Sequence, residues 1–134
     1  MNKKYELTDE TLFWEGVTLH RIKALHNFRN IKAGDLGGWI EKERNLSQEG
    51  DCWVGDYAMV YNNAIVCNNT QIWENARVWG RAKIGGNAKI YNCARIYGDT
   101  TICEDTEVFG NAQIYDTAIV YGNAKIYDDW RFNY

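Results

Sequence analysis

The sequence contains no proline. A chain that turns often must then turn with Gly, Asn and Asp, which tolerate positive φ. It also lacks any apolar stretch near the roughly eighteen residues a membrane-spanning helix needs. The basic start, Met1 to Lys4, is not followed by the apolar run of about seven or more that a secretory signal requires. Excess charge of one sign is missing too, since 15 basic and 18 acidic side chains leave a net charge of −3. That balance argues against nucleic acid or an anionic membrane as partner. A cytoplasmic protein is the simplest expectation. Its four cysteines form no CxxC pair, so they read as reduced thiols rather than a disulfide framework or a metal site. Histidine is scarce, with only His20 and His26.

What the chain does have is a repeat. Written in sixes from Asp51, it runs DCWVGD, YAMVYN, NAIVCN, NTQIWE, NARVWG and onward to NAKIYD at Asp128, thirteen blocks without an insertion. The second residue of each block is small (Cys52, Ala58, Ala64, Thr70 and so on to Ala124). The fourth is always β-branched, from Val54 to Ile126. A fixed short period signals a solenoid, in which each turn buries its apolar face on the next. Two apolar columns two residues apart have the period of a strand, so both point inward. Asn, Asp and Gly crowd the sixth and first positions, where the turns must lie.

The outward residues set the length of one coil. With three blocks per coil, or eighteen residues, the fifth positions sort into columns. One holds Gly55, Trp73, Tyr91, Phe109 and Tyr127, a second Tyr61, Trp79, Tyr97 and Tyr115, and a third Cys67, Gly85, Cys103 and Tyr121. A twelve-residue coil would mix them. The same phasing lines up Asn69, Asn87, Asp105 and Asn123, alternates Lys89, Glu107 and Lys125, and sets Arg77 against Arg95. Stacked neighbours lie about 4.8 Å apart, where aromatic and amide ladders are favourable. The spacing predicts a triangular prism of a little over four coils.

This pattern of small and aliphatic residues in sixes resembles the hexapeptide-repeat family. The resemblance implies an all-β fold, the left-handed parallel β-helix, with its handedness. Three regions are expected: an N-terminal β-cap over 1–50, the repeat over 51–128 and a C-terminal cap over 129–134. In the first, Lys4 to Leu7 and Val17 to Leu25 read as strands joined through Glu15-Gly16, and Gly34 to Ile40 as a turn entering another strand. Asn45 to Gly50 reads as an imperfect first repeat with Leu46 in phase with Cys52. Trp130 falls at a small-residue position, where its ring is expected to plug the last coil. Residues 32–40 and 45–54 together resemble the opening of a group of bacterial and phage proteins that carry such a cap before Asn-Ala-X-Val-Tyr-Gly repeats.

Many hexapeptide-repeat proteins are acyltransferases, and these resemble one another in a histidine beside the coils and a loop that breaks the repeat. Here the repeat has neither, and both histidines lie in the cap. A general base must reach the substrate proton, so the sequence assigns no catalytic residue and no cofactor site. Two histidines are too few for the three-histidine zinc site that the family's carbonic-anhydrase branch implies, and no metal ligand is assigned.

The aromatic ladders exceed what the repeat requires. They stabilise the coils, and they also form apolar stripes of a size that soluble proteins seldom leave uncovered. Tyr61, Trp73, Trp79, Tyr91, Tyr97, Phe109, Tyr115 and Tyr127 are therefore the candidate interaction face, for self-association as a homo-oligomer or for a host protein. Stacking of Trp73 or Trp79 on a sugar or base is disfavoured, because the sequence reveals no concave pocket or convergent polar groups. The expected function is a non-catalytic interaction or scaffold module, with inhibition of a host protein by a phage-type binder as one use. The alternative is a degenerate acyltransferase with an acyl-CoA donor.

Overall fold

Each six-residue block from Asp51 folds in the same way. In the computed structural model, which describes residues 2–133, its third and fourth residues make a two-residue strand, from Trp53–Val54 to Arg131–Phe132. The fourth residue points inward and is fully buried from Val54 to Ile114. The second is buried from Cys52 to Ala118. All thirteen sixth residues, from Asp56 to Asp128, hold φ between 51° and 74°. That is the left-handed backbone region, open to Gly and tolerated by Asn and Asp.

The corner side chains also tie successive coils together. Asn62, Asn68 and Asn92 each accept, through Oδ1, the backbone N–H eighteen residues ahead, at Gly80, Gly86 and Gly110 (3.0–3.2 Å). Glu104 does the same to Gly122 at 2.8 Å. A corner polar residue thus provides both the turn and an acceptor for the next coil.

Strands pair in parallel at a register of eighteen, as in Lys89 with Gln71 and Glu107, or Arg95 with Arg77 and Gln113. Three sheets result, one on each face of a parallel β-solenoid of about five coils. The coil length expected from the fifth-position columns is the one observed.

The count exceeds the expected four because an extra coil precedes Asp51. Strand β1 (Tyr5–Trp14) and strand β2 (Val17–Ala24) form an antiparallel hairpin through Glu15 and Gly16, both at positive φ. Strand β3 (Leu36–Ile40) pairs antiparallel with β2 and parallel with Met59–Val60. Cap and solenoid therefore share one eight-stranded sheet. In this first coil Ile40 stacks on Val60 and Leu46 on Val66, a spacing of twenty. The expected phase of Leu46 with Cys52 is thus corrected, since Leu46 lies under a fourth-position residue.

The two additional residues fall after Leu46, because the spacing is still twenty there and has returned to eighteen at Trp53, which pairs with Gln71. The corner before Leu46 contains the 3-10 turn Glu43–Asn45. Asn45 is fully buried there. Its Oδ1 accepts the N–H groups of Glu41 and Lys42, and its Nδ2 donates to the carbonyls of Asn62 and Ala64 (2.9–3.2 Å). The open end beneath is filled by Tyr5, Phe28 and Trp53, with both outer rings edge-on to the indole. Lys4 is buried among them. Its ammonium donates to the carbonyls of Cys52 (2.7 Å) and Gly50 (3.1 Å) and lies 3.3 Å from Cys52 Sγ.

At the far end Arg131–Phe132 adds a rung to Gln113–Ile114. Trp130 does not plug the coil as expected. It is 51% exposed, and its ring stacks on Tyr127 at 5.1 Å. Its inward position lies above Ala112, in a column of small residues with no room for an indole, so the ring turns out to the nearest aromatic column.

Candidate functional site

A fifth-position side chain follows an inward aliphatic residue and therefore points outward. Tyr61, Trp79, Tyr97 and Tyr115 stack in one ladder with ring centroids 5.8, 4.6 and 5.4 Å apart and planes within 9°. Tyr91, Phe109 and Tyr127 form a second ladder at 5.1 and 5.4 Å. Two of the eight expected face residues stand apart. Trp73 lies over Gly55, where a Cβ would meet two of its ring carbons at 2.2 Å. Tyr61 is only 4% exposed. The tip of the β1–β2 hairpin covers it, with Trp14 Nε1 donating to the Tyr61 hydroxyl at 3.2 Å. Burial raises the Tyr61 pKa above its ordinary value, opposed by that hydrogen bond.

The hairpin creates a first cleft, of about 410 Å³, between Trp14 and Glu15 on one side and Tyr61, Arg77, Trp79 and Arg95 on the other. The Arg77 guanidinium sits 4.5 Å over the Trp14 ring. Arg77 and Arg95 occupy facing positions on adjacent rungs. Among the described residues neither has a carboxylate within ion-pair distance, so two unpaired cations share this cleft with the carboxylate of Glu15.

A second cleft, of about 710 Å³, lies against Trp73. The cap's turn forms its wall, with Phe28 and Ile31 exchanging backbone hydrogen bonds (2.8–2.9 Å) around Arg29 and Asn30. Its floor is Gln71, Trp73, Lys89 and Tyr91, and its corner is Asp56 and Glu74. The Tyr91 hydroxyl donates to Glu107 Oε1 at 3.0 Å, and burial, then that bond, raises its pKa. The expectation of no concave pocket and no convergent polar groups is therefore corrected. Both clefts arise where cap loops overhang the coils, a juxtaposition absent from the repeat itself.

The histidines lie elsewhere. His20 is on β2 opposite Thr11 and Ile40, His26 is exposed after that strand, and neither lines either cleft. Among the described residues no three His, Cys, Asp or Glu side chains gather as a metal site. The Lys4–Cys52 contact is a structural plug. Burial lowers the Lys4 pKa and raises that of Cys52, while each partner partly offsets the other's shift.

Eighteen-residue coils built from sixes, with aliphatic and small columns inside, make this chain a parallel β-solenoid of six-residue repeats. No protein-family model matches it. It is similar to the "Uncharacterized acetyltransferase YdcK" of Escherichia coli (strain K12), at 37% identity over 62 residues. The match takes in 40% of this chain and 19% of the relative, so the chain spans about a fifth of that protein's length. This similarity corrects the expectation that the protein is not an enzyme. A relative bearing an acetyltransferase name shares part of the chain, so a repeat without histidine no longer argues against enzymatic activity.

Proposed function

We propose that the chain serves acyl transfer from an acyl-CoA thioester to a nucleophilic acceptor, as all or part of a hexapeptide-repeat acyltransferase. The observation that carries the reading is the 62-residue similarity to a protein named as an acetyltransferase. The cleft under the hairpin tip supports it. Arg77 and Arg95 bring two cations to adjacent rungs, and Trp14 and Trp79 line the same space. Guanidinium groups suit phosphate oxygens, and the indole of Trp79, whose faces Tyr61 and Tyr97 cover, offers its edge as an apolar contact for a nucleotide base. A donor that joins a nucleotide to several phosphates matches both. A bound polyanion would also relieve the repulsion between the two arginines.

Calorimetric titration of the full chain with acetyl-CoA and with free CoA tests this. Both ligands are expected to bind. Arg77→Gln and Arg95→Gln should each weaken binding about tenfold, the worth of one charge-assisted hydrogen bond. Absence of CoA binding in the unsubstituted chain sinks the proposal.

A second reading concerns assembly and is compatible with the first. Trp79, Tyr97 and Tyr115 are half-buried rings in an unbroken stack along one face, and such rings are favoured interface anchors. Replacing all three with Ser should lower the mass measured by sedimentation while leaving a β-rich spectrum. An unchanged mass rules out self-association through this face.

A further inference from the structure

We infer that the cleft over Trp73 is a binding site for a neutral saccharide. A sugar ring combines an apolar C–H face with a rim of hydroxyls that each donate and accept. The cleft offers the complement of both. Trp73 supplies an aromatic wall, and the bare backbone at Gly55 lets its ring lie back against the coil instead of joining the ladder above. Around it stand the carboxylates of Asp56 and Glu74 as acceptors and the cationic heads of Arg29 and Lys89 as donors.

The charge balance selects the ligand class. Two cations and two anions share the cleft, so it favours neither a cation nor an anion. A phosphorylated ligand would meet Asp56 and Glu74 unfavourably, in contrast to the arginine cleft on the neighbouring face. The volume of about 710 Å³ falls within the range of small-molecule sites, about 300–1,000 Å³.

The two carboxylates of the cleft are also held in place before any ligand arrives. Asp56 Oδ2 accepts the Glu74 N–H at 3.2 Å, and Glu74 Oε1 accepts both N–H groups of Asn92, backbone and side chain, at 2.9 and 2.7 Å. Each carboxylate keeps its second oxygen out of these bonds. Arg29 is fixed in a two-residue turn and lies 3.7 Å from Asp51. Lys89 takes part in none of the ion pairs among the described residues. Preorganised side chains of this kind reduce the ordering cost of binding.

The inference stands apart from acyl transfer, and its readout is binding alone. The full chain is titrated with cellobiose, maltose and N,N′-diacetylchitobiose while the Trp73 indole N–H resonance, assigned through Trp73→Phe, is followed by NMR. Glucose 6-phosphate and AMP are run as anionic arms. At least one neutral disaccharide should shift that resonance to saturation. Asp56→Asn keeps a residue type used at other corners and should weaken binding about tenfold. Trp73→Ala should abolish binding, and Lys89→Ala, an exposed position, gives an independent loss if the tryptophan variant fails to fold. Tyr121→Ser, on another face, should leave binding unchanged. The inference is overturned if no neutral disaccharide binds up to about 50 mM, where a site with a Kd near 1 mM is saturated. Preference for an anionic arm overturns it too, as does binding that survives both Trp73→Ala and Lys89→Ala. Acetyl-CoA titration of the same variants keeps the two proposals separable, because either can fail alone.

Discussion

Gly55→Ala is a small change with a calculable consequence. The added methyl would sit 2.2 Å from Cε3 and Cζ3 of Trp73. Carbon atoms rest about 3.5–4.0 Å apart, so the overlap exceeds 1 Å by about a third and cannot be absorbed by small shifts. Gly55 is itself buried next to the strand Trp53–Val54, which leaves the ring as the part that can move. If the indole swings out, it exposes about 50 Å² of the 150–250 Å² an aromatic side chain buries. At about 25 cal/mol/Å² that costs about 1.3 kcal/mol. If it stays, overpacking costs about 1–3 kcal/mol. The expected loss is therefore about 1–3 kcal/mol, read as a lower urea midpoint at unchanged slope. The displaced ring should move toward Tyr91 and fill the cleft, shifting the Tyr91 ring resonances. A variant with wild-type stability and unperturbed Tyr91 signals would refute the reasoning that the bare backbone at position 55 is what holds Trp73 back.

Two further outcomes follow from the core and the corners. Burial holds Tyr5 and Cys52 above their ordinary pKa values of 10.0 and 9.0, so the native state keeps protons that the unfolded chain releases. Their contribution is fully present below pH 9 and is lost as pH rises past those values. Lys4, held below 10.5 by burial, acts with the opposite sign up to that pH. Tyr5→Phe should flatten the fall in stability above pH 10, measured by urea midpoints between pH 7 and 11; an unchanged slope removes Tyr5 from the account. Glu104 sits at φ 60° in a column where Asn68 makes the same bond to the coil ahead. Glu104→Asn should therefore stabilise by about 0.5–1 kcal/mol through a residue better suited to that backbone, and a destabilised variant would show that side-chain reach matters more.

Much of the architecture could be read before any coordinates. Val54, Ile72 and Ile90 announce the inward column, Ala76 and Ala94 the narrow one, and Asn62 and Gly80 the corners. Glu74 and Glu104 sit at the same positive φ as their Asn and Gly counterparts and would not be identified as corner residues by type alone. Their place in the six-residue phase reveals them. Phase fails, by contrast, wherever the repeat stops. Leu46 looks like a small-column residue by counting back from Cys52, yet the stretch between Leu46 and Trp53 holds two more residues than a regular corner and sets Leu46 under Val66. Trp130 keeps the phase in number, but an indole cannot occupy the column above Ala112.

The candidate clefts were the least legible part. Trp73 and Trp79 are ordinary members of their columns in the sequence. Their different surroundings come from Arg29 and Trp14, which lie more than forty residues away in the cap.

The sequence alone determined the coil length, the inward columns, the corners and the order of rings on each face. A residue in the repeat is judged mainly by its neighbours eighteen positions away, and that requirement recurs often enough to be written into the composition. Only the tertiary structure decided which stretches of those faces are covered, which become clefts and which way Trp73 and Trp130 turn. Those outcomes depend on single contacts between the cap or chain end and the coils, made once and leaving no period to read.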